Sequence, residues 1–355
     1  MLLILAAILL IRGRSTQLAS RRLLRGLFTA AHKLSPSPSI TRQASLAPTS
    51  LPSQTSPMPS PLRRLLTHPT LRTMSSAPAK KDWNASLYLK FGTERTRPVY
   101  DAVNQIIPHI TASKPRIWDL GCGPGNSTKV LLDAFPDAHV SGMDSSPDML
   151  EKARAAVPGV QFEAGDLATF EPKDGEEVDL LFSNAVFHWL RAPTRIQTLV
   201  RLFQALKPGG VLAIQVPDNY HEESHALMRS VALQADRPWT RDFEGTRVGD
   251  LQDKKRPDLD PIEPPSAFYN ALTPHASKVD IWRTTYSHVL ADAGAIAEWV
   301  KGTGLQPYLQ RMEDEGVKKQ YLDEYVQRLE EAYPQLGDGK VLLGYPRLFV
   351  LAVRK

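Results

Sequence analysis

The 355-residue sequence predicts a doubly wound α/β fold, a seven-stranded, mostly parallel sheet with an antiparallel final hairpin and a helical cap. Short apolar runs alternate with helical stretches through the middle of the chain, the pattern of a parallel sheet covered on both faces. The first run is followed by a glycine-rich turn, and an acid stands at the tip of the second. Two further strand-like runs come late and suit a closing hairpin.

The elements follow in order. The run Arg116-Ile117-Trp118 leads into Asp119-Leu120-Gly121-Cys122-Gly123-Pro124-Gly125-Asn126. Glycines at alternate positions let the backbone turn sharply and come close to a bound molecule, where a Cβ would intrude. Asn126 to Phe135 reads as a helix whose free N–H groups open toward that pocket. The strand 138–143 ends in Asp144, and Ser145-Ser146-Pro147 starts a helix with a serine cap and a proline in its first turn. A third strand, 161–164, ends in Gly165-Asp166; a fourth is 178–184, and a fifth, 210–216, follows the turn Leu206-Lys207-Pro208-Gly209-Gly210. The runs 279–290 and 341–353 form the expected hairpin, with helices near 293–302 and 313–333 between them.

A lone glycine loop is also compatible with an ordinary strand-to-helix turn. The downstream order favours a nucleotide-type ligand: Asp144 lies 23 positions beyond Gly121, where an acid binds ribose hydroxyls. A dinucleotide site wants a small helix-packing residue at position 126, which is Asn. Asp119 directly precedes the loop and is placed to accept from an ammonium group rather than to face a pyrophosphate. Together these favour S-adenosylmethionine over NAD.

The same block resembles class I S-adenosylmethionine-dependent methyltransferases, and the flanking segments resemble the trans-aconitate methyltransferase family. The carrying residues are Asp82-Trp83-Asn84 with Ser86-Leu87-Tyr88-Leu89, Asp119 to Thr128, Asp144-Ser145-Ser146-Pro147, Pro217-Asp218-Asn219, Asp280-Ile281-Trp282-Arg283-Thr284-Thr285-Tyr286, and Pro346-Arg347-Leu348-Phe349. The likeness spans 82 to 355. The glycine loop is shared by many methyltransferases, whereas the Trp-Asn start, the Pro-Asp-Asn turn and the Trp-Arg-Thr-Thr-Tyr strand are more specific. The resemblance implies methyl transfer to a carboxylate of trans-aconitate, giving a monomethyl ester. Another small carboxylic acid as acceptor, or a non-catalytic S-adenosylmethionine-binding subunit, are the alternatives.

The cofactor roles expected are Asp119 on the methionine amino group, Gly121, Gly123 and Gly125 for close backbone approach, Asp144 on the ribose hydroxyls and Asp166 on the adenine amino group. Asn184 is expected at the methionine end, with Asn126 and Ser145 completing the set. A carboxylate acceptor is ionised near neutral pH, its reference pKa being about 4, so no general base is required. The substrate pocket should then carry Arg, Tyr, Trp and His for positioning and water exclusion. Tyr88, Arg95 and Arg97 on an N-terminal helical segment, His188 and Trp189 after the fourth strand, and Arg283 and Arg347 on the last two strands supply that inventory. A structural histidine at 188, core tryptophans at 189 and 282, and a surface ion pair at Arg95 are the competing readings.

The first 81 residues contain no Asp or Glu and 12 Lys or Arg, so the remainder carries a net charge of −7. A mildly acidic body argues against a nucleic-acid surface. The leader, 1–81, is Arg- and Ser-rich, as in a mitochondrial transit peptide, and its apolar start, 1–11, is too short to span a bilayer. The alternative is a cytoplasmic protein starting at Met74. In either case 1–81 should lack a packed core. One cysteine, Cys122, permits no intrachain disulfide, which suits a reducing compartment. No Cys/His cluster has metal-ligand spacing. A monomer acting on a small tricarboxylate, with no membrane or nucleic-acid partner, is expected. The segment 217–279 is an insertion, with Arg237, Arg241, Arg247, Lys254, Lys255 and Arg256 among prolines, Trp239 and Phe243. It should help cap the sheet's carboxyl edge, its charges solvated.

Overall fold

The computed structural model describes residues 91–355 apart from Asp174 and Lys254. All of these fall in the second of the two units into which the chain divides, Ser75–Lys355. The leader 1–81, the Trp-Asn start and Tyr88 lie outside the described residues. Helix α1 (Gly92–Ile106) precedes β1 (Arg116–Leu120), α2 (Asn126–Ala134), β2 (His139–Asp144), α3 (Pro147–Ala156) and β3 (Gln161–Ala164). There follow β4 (Leu180–Asn184), α4 (Ala192–Ala205), β5 (Val211–Pro217), α5 (Glu223–Ala232) and α6 (Pro265–Leu272). The chain closes with β6 (Ala276–Leu290), α7 (Ala293–Lys301), α8 (Gln306–Leu309), α9 (Glu315–Ala332) and β7 (Val341–Arg354).

The seven strands form one sheet in the order β3-β2-β1-β4-β5-β7-β6. The pairs from β3 through β5 are parallel, and β7 runs antiparallel to both β5 and β6. Chain order reverses at β1, whose neighbours are β2 and β4, so the crevice of a doubly wound sheet opens there.

Period-two alternation builds the core. Leu181, Leu212, Ile214, Leu348 and Val350 pack on one face with Leu199, Leu202 and Phe203 of α4 and Phe268 and Leu272 of α6. Leu180, Phe182, Val211, Ala213, Phe349 and Leu351 face the other way, against Val99, Val103 and Ile106 of α1 and Val130 and Leu131 of α2. Ser146 caps α3 as its sequence indicates, its Oγ accepting from the Met149 N–H at 3.2 Å.

A third core belongs to the cap. Met228 and Val231 of α5, Trp239 and Phe243, Ile296 and Trp299 of α7, Tyr308 of α8, and Tyr321 and Tyr325 of α9 bury one another. The insertion and the helices between the last two strands therefore form a single body. Strand β6 starts at Ala276, inside the stretch 217–279.

The insertion's charges split in two. Arg237, Arg241, Arg247 and Lys255 are exposed, but Arg256 is buried, its Nη1 lying 3.0 Å from Asp258 Oδ2 and its Nη2 against Asp260. Solvation was the expectation for every one, and Arg256 departs from it because the segment after it folds back under the start of α4. Asp260 accepts from the Ala192 N–H, and the fully buried Arg195 of α4 reaches Glu263 Oε2 at 2.5 Å. Removing one partner of a buried ion pair strands the other charge, so Glu263→Ala is expected to lower stability by about 3–5 kcal/mol in urea unfolding.

Candidate active site

At the carboxyl ends of the parallel strands lies a cleft of about 890 Å³, within the range of small-molecule sites. Gly121, Gly123 and Pro124 of the loop after β1 line one end, with Asp144 and Ser145 from the tip of β2, Asp166 beyond β3 and Asn184 ending β4. His188, Trp189, Arg95 and Arg347 line the rest, beneath Trp299 and Gln306 of the cap. Ten of the residues singled out in the sequence thus share one wall, although they come from segments more than 250 positions apart.

The loop glycines all have positive φ, yet serve different neighbours. A Cβ on Gly121 would sit 2.2 Å from Val186 Cγ2, whereas one on Gly123 would meet nothing within 4 Å. Gly125 lies off the cleft: its Cβ would be 3.1 Å from Val157 Cγ2 and 3.3 Å from Ala153 Cα. It is the close helix contact that position 126 was expected to lack, supplied one residue earlier. Asn126 also turns away, its Nδ2 donating to Thr96 Oγ1 at 3.0 Å and tying α2 to α1.

Asp144 is fixed by two backbone donors. Gly123 N–H reaches its Oδ2 and Ser146 N–H its Oδ1, each at 2.9 Å. Asp166 is exposed, with Oδ1 accepting from the Ala168 N–H at 2.9 Å. Asn184 is buried, and its Oδ1 has no partner among the described residues.

Asp119 is fully buried behind the loop rather than on the cleft wall. Its Oδ2 accepts from Ser127 and Thr128 hydroxyls at 2.8 and 2.7 Å, while Oδ1 has no partner among the described residues. Burial pushes its carboxyl up to about 6 against the pull of those two hydroxyls.

On the acceptor side, Arg347 is buried and donates from Nη1 to Gln215 Oε1 at 3.3 Å, with its guanidinium 4.8 Å from the Tyr345 ring centre. Arg95 of α1 is buried and donates to the Trp299 carbonyl at 2.8 Å, which joins α1 to the cap across the cleft. Its surface-pair reading does not hold. His188 sits in a short 3-10 turn; burial, with the positive charges of Arg195 and Arg347, holds its pKa well below the usual range, so the ring is neutral. Its Nδ1 has no partner among the described residues.

Arg283 is not part of the wall. It is half-exposed, with Nε 2.8 Å from Asp218 Oδ2. Strand β6 is the sheet edge, and its alternation leaves Arg283, Thr285 and Ser287 outward, so a charge there is solvated at no burial cost. The pair instead pins the turn Pro217-Asp218-Asn219, whose Asp218 N–H also donates to the Pro346 carbonyl at 2.9 Å. Trp282 stacks on Phe349 at 4.8 Å and belongs to the core. Cys122 is buried, and burial pushes its thiol far up, as an inert packing residue requires.

Sequence reading missed Arg191, Gln215, Tyr345 of β7 and the cap residues Lys301, Gln306 and Gln310, all but Gln215 on the cleft wall. Arg191 follows His188-Trp189-Leu190 directly and Gln215 breaks an apolar strand, so both carried a signal. The cap residues carried none, because α8 is one helical turn without a motif. Among the described residues no group of three or more His, Cys, Asp or Glu could hold a metal, and no helix is long and apolar enough to cross a membrane.

A glycine cradle and an acid at successive tips of a reversed parallel sheet, facing buried arginines under a helical cap, define a methyltransferase of class I architecture. Residues 117–210 match the family model described as "Methyltransferase domain". The chain is 46% identical over 273 residues to trans-aconitate 2-methyltransferase of Rhodopseudomonas palustris (strain HaA2), covering 77% of this chain and 99% of that protein. It is 44% identical over 273 residues to that of Agrobacterium fabrum (strain C58), with the same coverage. The YcgJ protein of Bacillus subtilis aligns structurally over 72% of this chain and 99% of its own, at 12% identity and a TM-score of 0.43. The chain belongs to the trans-aconitate 2-methyltransferase family.

A side chain at Gly123 would strain a positive φ by about 1–2 kcal/mol and project into the cleft without a clash in the core. Gly123→Ala is therefore expected to stay folded in thermal melts while losing about tenfold or more in calorimetric affinity for S-adenosylhomocysteine. Asp119 gives a pH test. Its raised folded pKa means the native state binds the proton more tightly, so its contribution to stability is full below the ordinary carboxylate pKa of 3.8 and is lost as pH rises through about 6. Relative to Asp119→Asn, the wild-type protein should gain stability in urea as pH falls from neutral toward 4, and parallel curves would contradict the assignment.

Proposed function

We propose that this protein transfers a methyl group from S-adenosylmethionine to one carboxylate of trans-aconitate, giving a monomethyl ester and S-adenosylhomocysteine. When bound, S-adenosylmethionine supplies a methyl carbon made electrophilic by its sulfonium. The loop and strand tips suit that donor. Gly121 and Gly123 leave room for close approach, Asp144 is oriented for the ribose hydroxyls, and Asp166 stands beyond it for the adenine. Asn184, on the cleft wall, keeps a buried carboxamide oxygen unpartnered among the described residues, as an acceptor for an ammonium group requires.

The observation that carries the acceptor is that two buried guanidiniums, Arg95 and Arg347, and a neutral His188 line the same cleft as the glycine loop. Arginine offers bidentate donors to a carboxylate, and its charge does not titrate. No deprotonating dyad is needed, since the attacking carboxylate oxygen is already ionised. Arg347, braced by Gln215 and Tyr345, holds the anion; the cap and α1, latched through Arg95, exclude water and leave that oxygen weakly solvated.

Incubation of the purified chain with labelled S-adenosylmethionine and trans-aconitate should yield the monomethyl ester by mass spectrometry, and absence of ester with intact S-adenosylhomocysteine binding would overturn the reading. Arg347→Gln should lower kcat/KM for trans-aconitate by about a hundredfold, as for a charged hydrogen bond lost, while binding S-adenosylhomocysteine normally. Arg283→Gln, off the wall, should cost much less.

A further inference from the structure

Behind the cleft lies a smaller cavity of about 50 Å³, and the two share the walls formed by His188, Trp189, Pro217 and Tyr345. It has room for one small polar group and none for a nucleoside. Three of its lining side chains, Arg229, Asn219 and Tyr308, come from α5, the Pro-Asp-Asn turn and α8. None has a role in the chemistry described above.

Arg229 is a half-buried cation that makes no ion pair among the described residues. Its Nη2 donates to the Tyr220 carbonyl at 2.7 Å, and its guanidinium stacks 3.9 Å from the Tyr220 ring centre, which fixes the group and leaves further N–H donors uncommitted. Tyr308 is 2% exposed, and its hydroxyl makes no hydrogen bond among the described residues, although a buried phenol ordinarily finds a partner. Burial pushes its pKa well above 10, so it stays a donor. Asn219 is presented by the turn that the Arg283–Asp218 pair and the Asp218–Pro346 backbone bond hold in place.

Two carboxylates, Asp258 and Asp260, also line this cavity, but both are already matched. Asp258 pairs with Arg256 at 3.0 Å and accepts from the Gly249 N–H at 3.0 Å; Asp260 pairs with Arg256 and with Arg191 at 3.2 Å. His225 and His188 are neutral, His225 being driven down to about 3 by burial and by Arg229. The charge left over is that of Arg229.

We propose that this recess is a second carboxylate subsite, in which Arg229, Asn219 and Tyr308 receive a carboxylate of the acceptor remote from the one methylated. The proposal rests on the function given above and names what makes the site selective for polycarboxylates. Tyr345 separates the two anion positions: its ring contacts the Arg347 guanidinium on the cleft side and lines the recess on the other. An acid with a single carboxylate can satisfy one position only, and one that spans the ring can satisfy both.

The test compares trans-aconitate with crotonate, an unsaturated acid with a single carboxylate, as acceptors for the wild-type chain, Arg229→Gln and Arg229→Lys. Arg229→Gln should raise KM for trans-aconitate about tenfold or more, with kcat within a few-fold and unchanged affinity for S-adenosylhomocysteine. KM for crotonate should not move, and Arg229→Lys should recover part of the loss. Equal changes for both acids, or none for either, would overturn the subsite. If the wild-type chain makes no ester, calorimetry of trans-aconitate against the S-adenosylhomocysteine complex separates the two readings. A tenfold weaker binding in Arg229→Gln would uphold the subsite although the proposed reaction has failed, while equal binding, or no binding by either protein, would overturn it.

Discussion

Sealing both faces of the sheet with apolar side chains leaves its carboxyl edge as the place where strand residues can be polar, because a polar group buried at mid-strand without a partner costs several kcal/mol. Asp119 and Asp144 stand at or next to the ends of β1 and β2, Asn184 ends β4, and Gln215 lies near the end of β5. Arg347 belongs to the same edge because β7 is antiparallel, and its pairing with Pro217 sets it beside the tip of β5. The register of the ladder, fixed by the apolar alternation, is thus what brings a donor site and an acceptor site to one cleft. A one-residue slip of β7 would turn Arg347 to the opposite face and move Phe349 from one core into the space shaped for Leu348 and Val350 in the other.

The cap meets a different requirement. Methyl transfer to a carboxylate gains from dehydration of the anion, and an open sheet edge cannot provide it. The cap has its own core of aromatic residues and is fastened to the rest of the domain by polar clamps: Arg195 to Glu263, Arg191 to Asp260, and Arg95 to the Trp299 carbonyl. Buried ion pairs seldom add net stability over well-packed apolar residues, yet they fix direction. Here they set the strap 256–263 along the base of α4 and bring Leu259 onto the cleft wall.

Much of this was legible in the chain. Strand positions followed from apolar runs, and the glycine loop, Asp144, Asp166 and Asn184 were found because a doubly wound sheet places its ligand groups at strand tips. Arg283 was misplaced because an arginine in an apolar strand looks buried, and sequence alone does not say that β6 is an edge. Arg256 was taken as solvated for the converse reason, since its carboxylate partners lie within four residues but their burial under α4 is a tertiary fact. Gly125 and Asn126 were both read as facing the ligand, and neither does: one packs helix against helix while the other ties α2 to α1. The cap's contribution through Gln306 and Gln310 was not legible, because it depends on how α8 folds over the sheet rather than on any local pattern.

A crystal structure of the chain with S-adenosylhomocysteine and trans-aconitate bound tests the shared cleft most directly. The ribose hydroxyls should lie within hydrogen-bond distance of Asp144 and a carboxylate of the acid against Arg347, with the sulfur directed at an oxygen of that acid. An acceptor seated outside the cleft, or a ribose remote from Asp144, would contradict the account.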